Sequence, residues 1–119
     1  MQYDLWSYRT DVIPPGELVD DLTGYEVHAT DGKIGKVDEA TDALGMSHLV
    51  VDTGPWIFGK KVMLPAGTIV RLDSSENKVY LDRTKEEIKN APEYDDQLRK
   101  DPDYHTRLGD HYGRPGAGR

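Results

Sequence analysis

The feature that most constrains this chain is the spacing of its turn residues between positions 24 and 83. Breaks at Asp31-Gly32, Gly45, Gly54-Pro55, Pro65-Ala66-Gly67 and Ser74-Ser75 divide that stretch into six short runs rich in β-formers, at 25–29, 34–41, 47–53, 61–64, 68–73 and 78–82. Runs of this kind, bounded by turn clusters, read as strands. A parallel neighbour needs a crossover of a dozen or more residues, and no gap between successive runs is that long. The expectation is therefore an all-β fold, a small six-stranded antiparallel sheet that curls or closes into a barrel.

Alternation within the runs shows which side is buried. Val27, Leu49 with Val51, Val62 with Leu64, and Val79 with Leu81 fall at period 2, whereas Glu26, His28, Asp52, Lys61 and Asp82 take the opposite parity. In Gly-Lys-Ile-Gly-Lys-Val, Ile34 and Val37 are three apart, so both face inward only if the strand carries an extra residue. Gly35 supplies the freedom for such a bulge.

The flanks differ from the strand-rich block. Residues 1–21 are acidic, contain Pro14-Pro15 and hold no sustained period, which predicts an extended lead-in with one helical turn at its end. After the strands, Thr84-Lys-Glu-Glu87 has the capping-box pattern ahead of Ile88, so a short helix should run to about Asn90 and stop before Pro92. Asp101-Pro102 opens a second helix through Tyr104 and Leu108. Residues 96–119 thus divide into a helix and a disordered Gly-rich tail.

The stretch Gly54-Pro-Trp-Ile-Phe-Gly59-Lys60-Lys61 is one residue short of a phosphate-binding loop. Such a loop needs Ser or Thr after the Lys, to hold magnesium, and a helix starting there whose amides face the phosphates. Lys61 stands at the hydroxyl position, and Lys-Val-Met-Leu-Pro alternates like a strand. A hairpin is the reading that fits.

Charge and composition narrow the function. A formal net charge of −7 repels polyanions on average, which argues against nucleic acid as the partner. Without cysteine there is no disulfide framework, thiolate metal site or thiol nucleophile. No basic head followed by an apolar run opens the chain, and no window approaches a membrane span, so the expectation is a cytoplasmic protein with no direct membrane insertion.

Several residues together carry a family resemblance. They are Asp31-Gly32 followed by Ile34-Gly35-Lys36-Val37, then Leu49-Val50-Val51, the run ending Leu64-Pro65, and the exit through Ala91-Pro92-Glu93-Tyr94. Their order and spacing resemble the PRC-barrel family, the small β-barrel domain shared by the cytoplasmic part of the photosynthetic reaction-centre H subunit, a ribosome maturation factor and many stand-alone bacterial proteins. The resemblance covers residues 22–95 and implies a closed or nearly closed barrel there. It also implies a binding and assembly role, and it supplies no catalytic motif.

The residues themselves offer little chemistry. His28 and His48 lie in expected strands with no His or carboxylate at metal-ligand spacing, which favours sheet pairing over metal ligation. Asp101, His105, Asp110 and His111 form an acidic, imidazole-bearing segment that reads as a solvated helix face. The segment Asp31 to Asp42 has Lys33 and Gly35 where a calcium loop needs oxygen donors, and so fails as one. Ser47, Ser74 and Ser75 match no nucleophile signature, and Asp38-Glu39 are adjacent in a strand and point apart. The expectation is a protein with no catalytic residues, no cofactor and no metal.

The remaining signal is aromatic. Trp56, Ile57 and Phe58 crowd one hairpin loop beside Lys60 and Lys61, Trp6 and Tyr8 lie in the lead-in, and Tyr80 has the parity opposite to Val79 and Leu81. The three loop residues either cap the barrel mouth, meeting Leu5, Trp6 and Tyr8, or form an interface, for which all six are the candidate residues. The leading reading is a non-catalytic interaction module that self-associates as a homo-oligomer and binds a protein partner. Two alternatives stand beside it: an RNA- or ribosome-associated maturation factor, and an accessory protein of a membrane complex similar to the reaction-centre H subunit.

Overall fold

The structure is a computed structural model and describes residues 5–9, 12–13, 18–42, 46–54 and 60–113. Six strands form one sheet: β1 (Glu26–Ala29), β2 (Gly32–Thr41), β3 (His48–Asp52), β4 (Lys61–Pro65), β5 (Ile69–Asp73) and β6 (Lys78–Leu81). Each lies within one or two residues of a run expected from the sequence. Two helices follow, α1 (Lys85–Lys89) and α2 (Pro102–Gly113), and a 3₁₀ turn at Val19–Leu22 precedes β1.

The strand order is β4-β3-β2-β1-β6-β5. Strands β1 through β4 form an antiparallel series, and β5 and β6 a second antiparallel pair. The two groups join where β6 lies beside β1, and that pair is parallel. The sheet is mixed, which corrects the all-antiparallel expectation. The cause is the link Ala66–Thr68: β5 keeps the sense that β4 had, so this 3₁₀ link is a corner and not a reversal. Thr68 Oγ1 donates to Pro65 O at 2.8 Å, tying the corner together.

That corner spans the two outermost strands of the order with three residues, so the sheet must fold over until its ends approach. It does not close, because β4 and β5 are not hydrogen-bonded to each other. The closed barrel is corrected to an open, folded sheet. Ten-residue β2 makes the fold-over possible, pairing with β1 through its first half and with β3 through its second. An extra residue interrupts each pairing, Ile34 opposite β1 and Asp38 opposite β3, and bulges of this kind bend a strand from one part of a sheet to another. Ile34 and Val37 are both buried, as the expected bulge requires.

The inward parity is that of the sequence reading, with Val27, Leu49, Val51, Leu64 and Val79 all fully buried. β3 departs from simple alternation, because His48 and Val50 on its second face are buried too. Val50 pairs with the buried Met63 of β4. The N-terminal and C-terminal segments cover this half of the sheet. Leu5 O accepts from Gly67 N at 2.7 Å, Trp6 O from Ser47 N at 2.9 Å, and Tyr8 donates its hydroxyl to Thr41 O at 2.9 Å. Arg9 reaches both Gly67 O (2.8 Å) and Asp82 Oδ2 (2.7 Å). Residues 5–9 are thus a strap across the corner.

Both helices start where their signals stand. Thr84 Oγ1 accepts from Glu87 N at 3.1 Å while the Glu87 carboxylate accepts from Thr84 N at 2.9 Å, a complete capping box. Asp101 Oδ1 accepts from Asp103 N at 2.9 Å at the head of α2. Tyr104, Leu108 and Tyr112 recur at the helical spacing of four and are all buried, so α2 packs one face into the shared core.

Candidate functional site

Strand pairing carries the residues of the outer face into two rows. One crosses all six strands, as Asp73, Lys78, Glu26, Lys36, Asp52 and Lys61, each opposite the next. Its charges alternate without exception. Opposite charges directly across a ladder stabilise it and like charges destabilise it, so this row favours one register of the whole sheet.

The second row runs beside it as Arg71, Tyr80, His28 and Lys33, on β5, β6, β1 and β2. The Arg71 guanidinium lies 4.8 Å from the centre of the Tyr80 ring, and the His28 ring lies 5.3 Å from that ring at an interplanar angle of 31°. Arg71, Tyr80 and His28 therefore form a stack standing on the sheet. Glu26 fixes its far end: Glu26 Oε1 is 3.2 Å from His28 Nε2, and Lys33 Nζ is 3.5 Å from Glu26 Oε2. The hydrogen bond with His28 and the two nearby lysines Lys33 and Lys78 lower the Glu26 carboxyl pKa below its ordinary value. Two residues apart on a strand is the same face, so Glu26 is a partner of His28 that the sequence reading did not name.

At the β2 and β3 end of this face lies a cleft of about 370 Å³, lined by Lys33, Ile34, Gly35, Lys36, Asp52, Thr53 and Gly54. It sits at the end of β3, where Thr53 donates its hydroxyl to Lys60 O at 2.8 Å and Gly54 N donates to Asp52 Oδ1 at 2.9 Å. Strand β4 begins at Lys61, the position where a phosphate-binding loop would begin its helix. Lys60 pairs with Glu93 at 2.7 Å and Lys61 with Asp38 at 3.1 Å.

Of the six expected interface residues, Trp56, Ile57 and Phe58 lie outside the described residues. Trp6 and Tyr8 are half-buried in the strap. The Trp6 ring meets His48 edge-on at 6.5 Å and His105 at 5.7 Å, and its Nε1 lies beside Gly109 of α2. Tyr80 is the member found on the open outer face. The residues weighed as metal ligands are dispersed: His48 Nδ1 donates to Met46 O at 2.7 Å, His105 is held on Arg99 O at 2.6 Å, and His111 on Glu87 O at 2.7 Å. Among the described residues no three His, Asp or Glu side chains come together as a metal site. Arg71, Lys33 and Lys36 were missed by sequence reasoning. Their parity was legible, but their neighbours depend on β6 lying beside β1, which no local signal announces.

Neither a family model nor a curated protein matches this chain. Among solved structures it is similar to one described as a 16S ribosomal RNA processing protein, RimM, from Pseudomonas aeruginosa, with a TM-score of 0.51 and 17% identity over 61% of this chain. The match covers 47% of that protein, so the chain accounts for about half the length of its structural neighbour. What the two share is a fold.

Proposed function

We propose that this chain is a non-catalytic interaction module of the PRC-barrel kind, which docks a protein partner on the outer face of β5, β6, β1 and the first half of β2. The observation that carries this reading is the Arg71, Tyr80 and His28 stack. Tyr and Arg are, with Trp, the side chains enriched among binding anchors. Groups already held by their neighbours lose less rotamer freedom on docking than loose surface chains do. The fold likeness supports the PRC-barrel assignment, and the family resemblance supports a binding role.

A second reading, an RNA- or ribosome-associated factor, is favoured by the likeness to a protein named for 16S ribosomal RNA processing. It is opposed by the net charge of −7. Affinity capture from native lysate with the wild type and with Tyr80→Ser and Lys33→Glu variants separates the two. The protein-docking reading expects a stoichiometric protein retained by the wild type and lost from both variants, each still folded with a cooperative melting transition. Nucleic acid retained at low salt and released as salt rises would favour the second reading instead. Equal capture by all three chains would overturn the assignment of this face.

A further inference from the structure

The alternating row ends at Asp73, on the outermost strand β5. Among the described residues β5 is paired on one side only, with β6. Val70 is one of two large apolar side chains among those residues left well exposed, at 41%. The other outermost strand, β4, is different: Met63, Leu64 and Pro65 are buried, so its edge is covered.

The backbone of β5 shows what that edge offers. In an antiparallel ladder, residues alternate between turning both N–H and C=O toward the partner and turning both away. Asp82 N donates to Thr68 O at 2.9 Å, so the pair before Ile69 is a bonded one. Counting on from there, and stepping over the extra residue Val70, places Arg71 and Asp73 in bonded pairs with β6. The N–H and C=O of Leu72 then face outward.

We propose that a second copy of this chain docks on the β5 edge about a two-fold axis at Leu72, joining the two sheets antiparallel. Leu72 then exchanges both backbone hydrogen bonds with its counterpart. Arg71 of each copy falls opposite Asp73 of the other, on the same outer face, and Val70 is brought beside Ser74. Two-fold symmetry makes every contact twice from one patch. The charges fit: the row that runs Lys61, Asp52, Lys36, Glu26, Lys78, Asp73 continues into a cation from the second copy. Within each chain the Arg71 guanidinium already lies over the Tyr80 ring and 3.4 Å from Asp73 Oδ2. Ser75 and Glu76 hold the Asp73 carboxylate, so the join brings two such ion pairs together into one four-charge cluster.

This inference deepens the assembly-module reading. Because its test uses the purified chain alone, its failure would leave the protein-partner reading standing. Sedimentation over a concentration series to about 100 μM is expected to show a monomer–dimer equilibrium. Arg71→Glu, which sets carboxylate against carboxylate at both pairs, is expected to weaken it about tenfold. Adding Asp73→Asn to that variant keeps a side-chain acceptor for the turn, removes the repulsion and should restore part of the loss. The sharper test mixes the Arg71→Glu chain with an Asp73→Lys chain. Each associates weakly alone, because like charges meet at both pairs. In the mixture the carboxylate introduced at position 71 of one chain meets the ammonium introduced at position 73 of the other, and the remaining native Arg71 and Asp73 meet across the axis. Heterodimers should form. A native chain that stays monomeric at about 100 μM overturns the proposal. So does a dimer indifferent to Arg71→Glu, or a mixture no tighter than its components.

Discussion

A single methyl group is enough to spoil the join at Gly35. A Cβ built there would lie 2.0 Å from Asp52 O and 2.9 Å from Thr53 Cα, and both obstacles are backbone that cannot swing aside. Gly35→Ala is therefore expected to cost about 3 kcal/mol or more in chemical denaturation, the upper range of overpacking. Leu64→Ala and Val51→Ala should each cost roughly 2–4 kcal/mol through lost burial and a residual cavity. Glu26→Ala should leave the melting temperature nearly where it was. Similar losses at all four positions would mean that the inner and outer faces have been confused. The sequence marked Gly35 through the mismatch of Ile34 and Val37, and the bulge is there. Its φ is not in the left-handed range, however, and the demand for glycine comes from a strand that approaches through space.

Individual elements were the most legible level, because strands and helix starts are written in local chemistry. Turn clusters bounded the strands, and Thr84 and Asp101 marked the helix heads. The strap was not legible, since residues 5–9 carry no period and are ordered by partners far along the chain. Trp6→Ala should cost roughly 2–3 kcal/mol, somewhat below a fully buried aromatic, and the loss should not depend on protein concentration. A loss that vanished on dilution would make Trp6 an interface residue instead.

His48 gives the same region a dependence on pH. Burial depresses its pKa below the ordinary 6.5, against the opposing pull of its bond to Met46 O. Around it stand His105 and Arg99, which disfavour its charge, Glu39, which favours it, and the Trp6 ring. The unfolded chain takes up a proton at this site near pH 6.5 and the folded chain only below that. Its contribution to stability is thus full above about 6.5 and is lost progressively as pH falls toward the depressed value. Denaturation midpoints measured from about pH 8 to about pH 5 should fall across that window, and His48→Gln should flatten the slope. An unchanged slope in the variant would assign the effect to another group.

At the scale of the whole molecule, the sheet and α2 share one core. Ending the chain at residue 101 would strip away Tyr104, Leu108 and Tyr112, all buried, together with the bond from the Arg83 guanidinium to Tyr112 O. Such a chain is expected to lose its cooperative thermal transition. A sharp transition near the native temperature would show that the sheet folds without the helix. Strand order was the part of the fold that the sequence kept hidden. Breaks such as Asp31-Gly32 reverse the chain, while Pro65-Ala66-Gly67 turns a corner, and the two look alike as turn-rich residues. The outer-face stack inherited that ambiguity, because Tyr80 and His28 become neighbours only through the parallel pair.

That parallel pair also sets an order in time. Strands β1 to β4 can zip together through neighbours a few residues apart, as soon as they leave the ribosome. The other edge of β1 must wait for β6, about fifty residues further along, and a contact that closes so long a loop is slow to form. During that wait Val27 and its neighbours have half their cover and β1 has an open edge. The interval before β6 arrives is when a nascent chain of this protein is most exposed to mispairing with another.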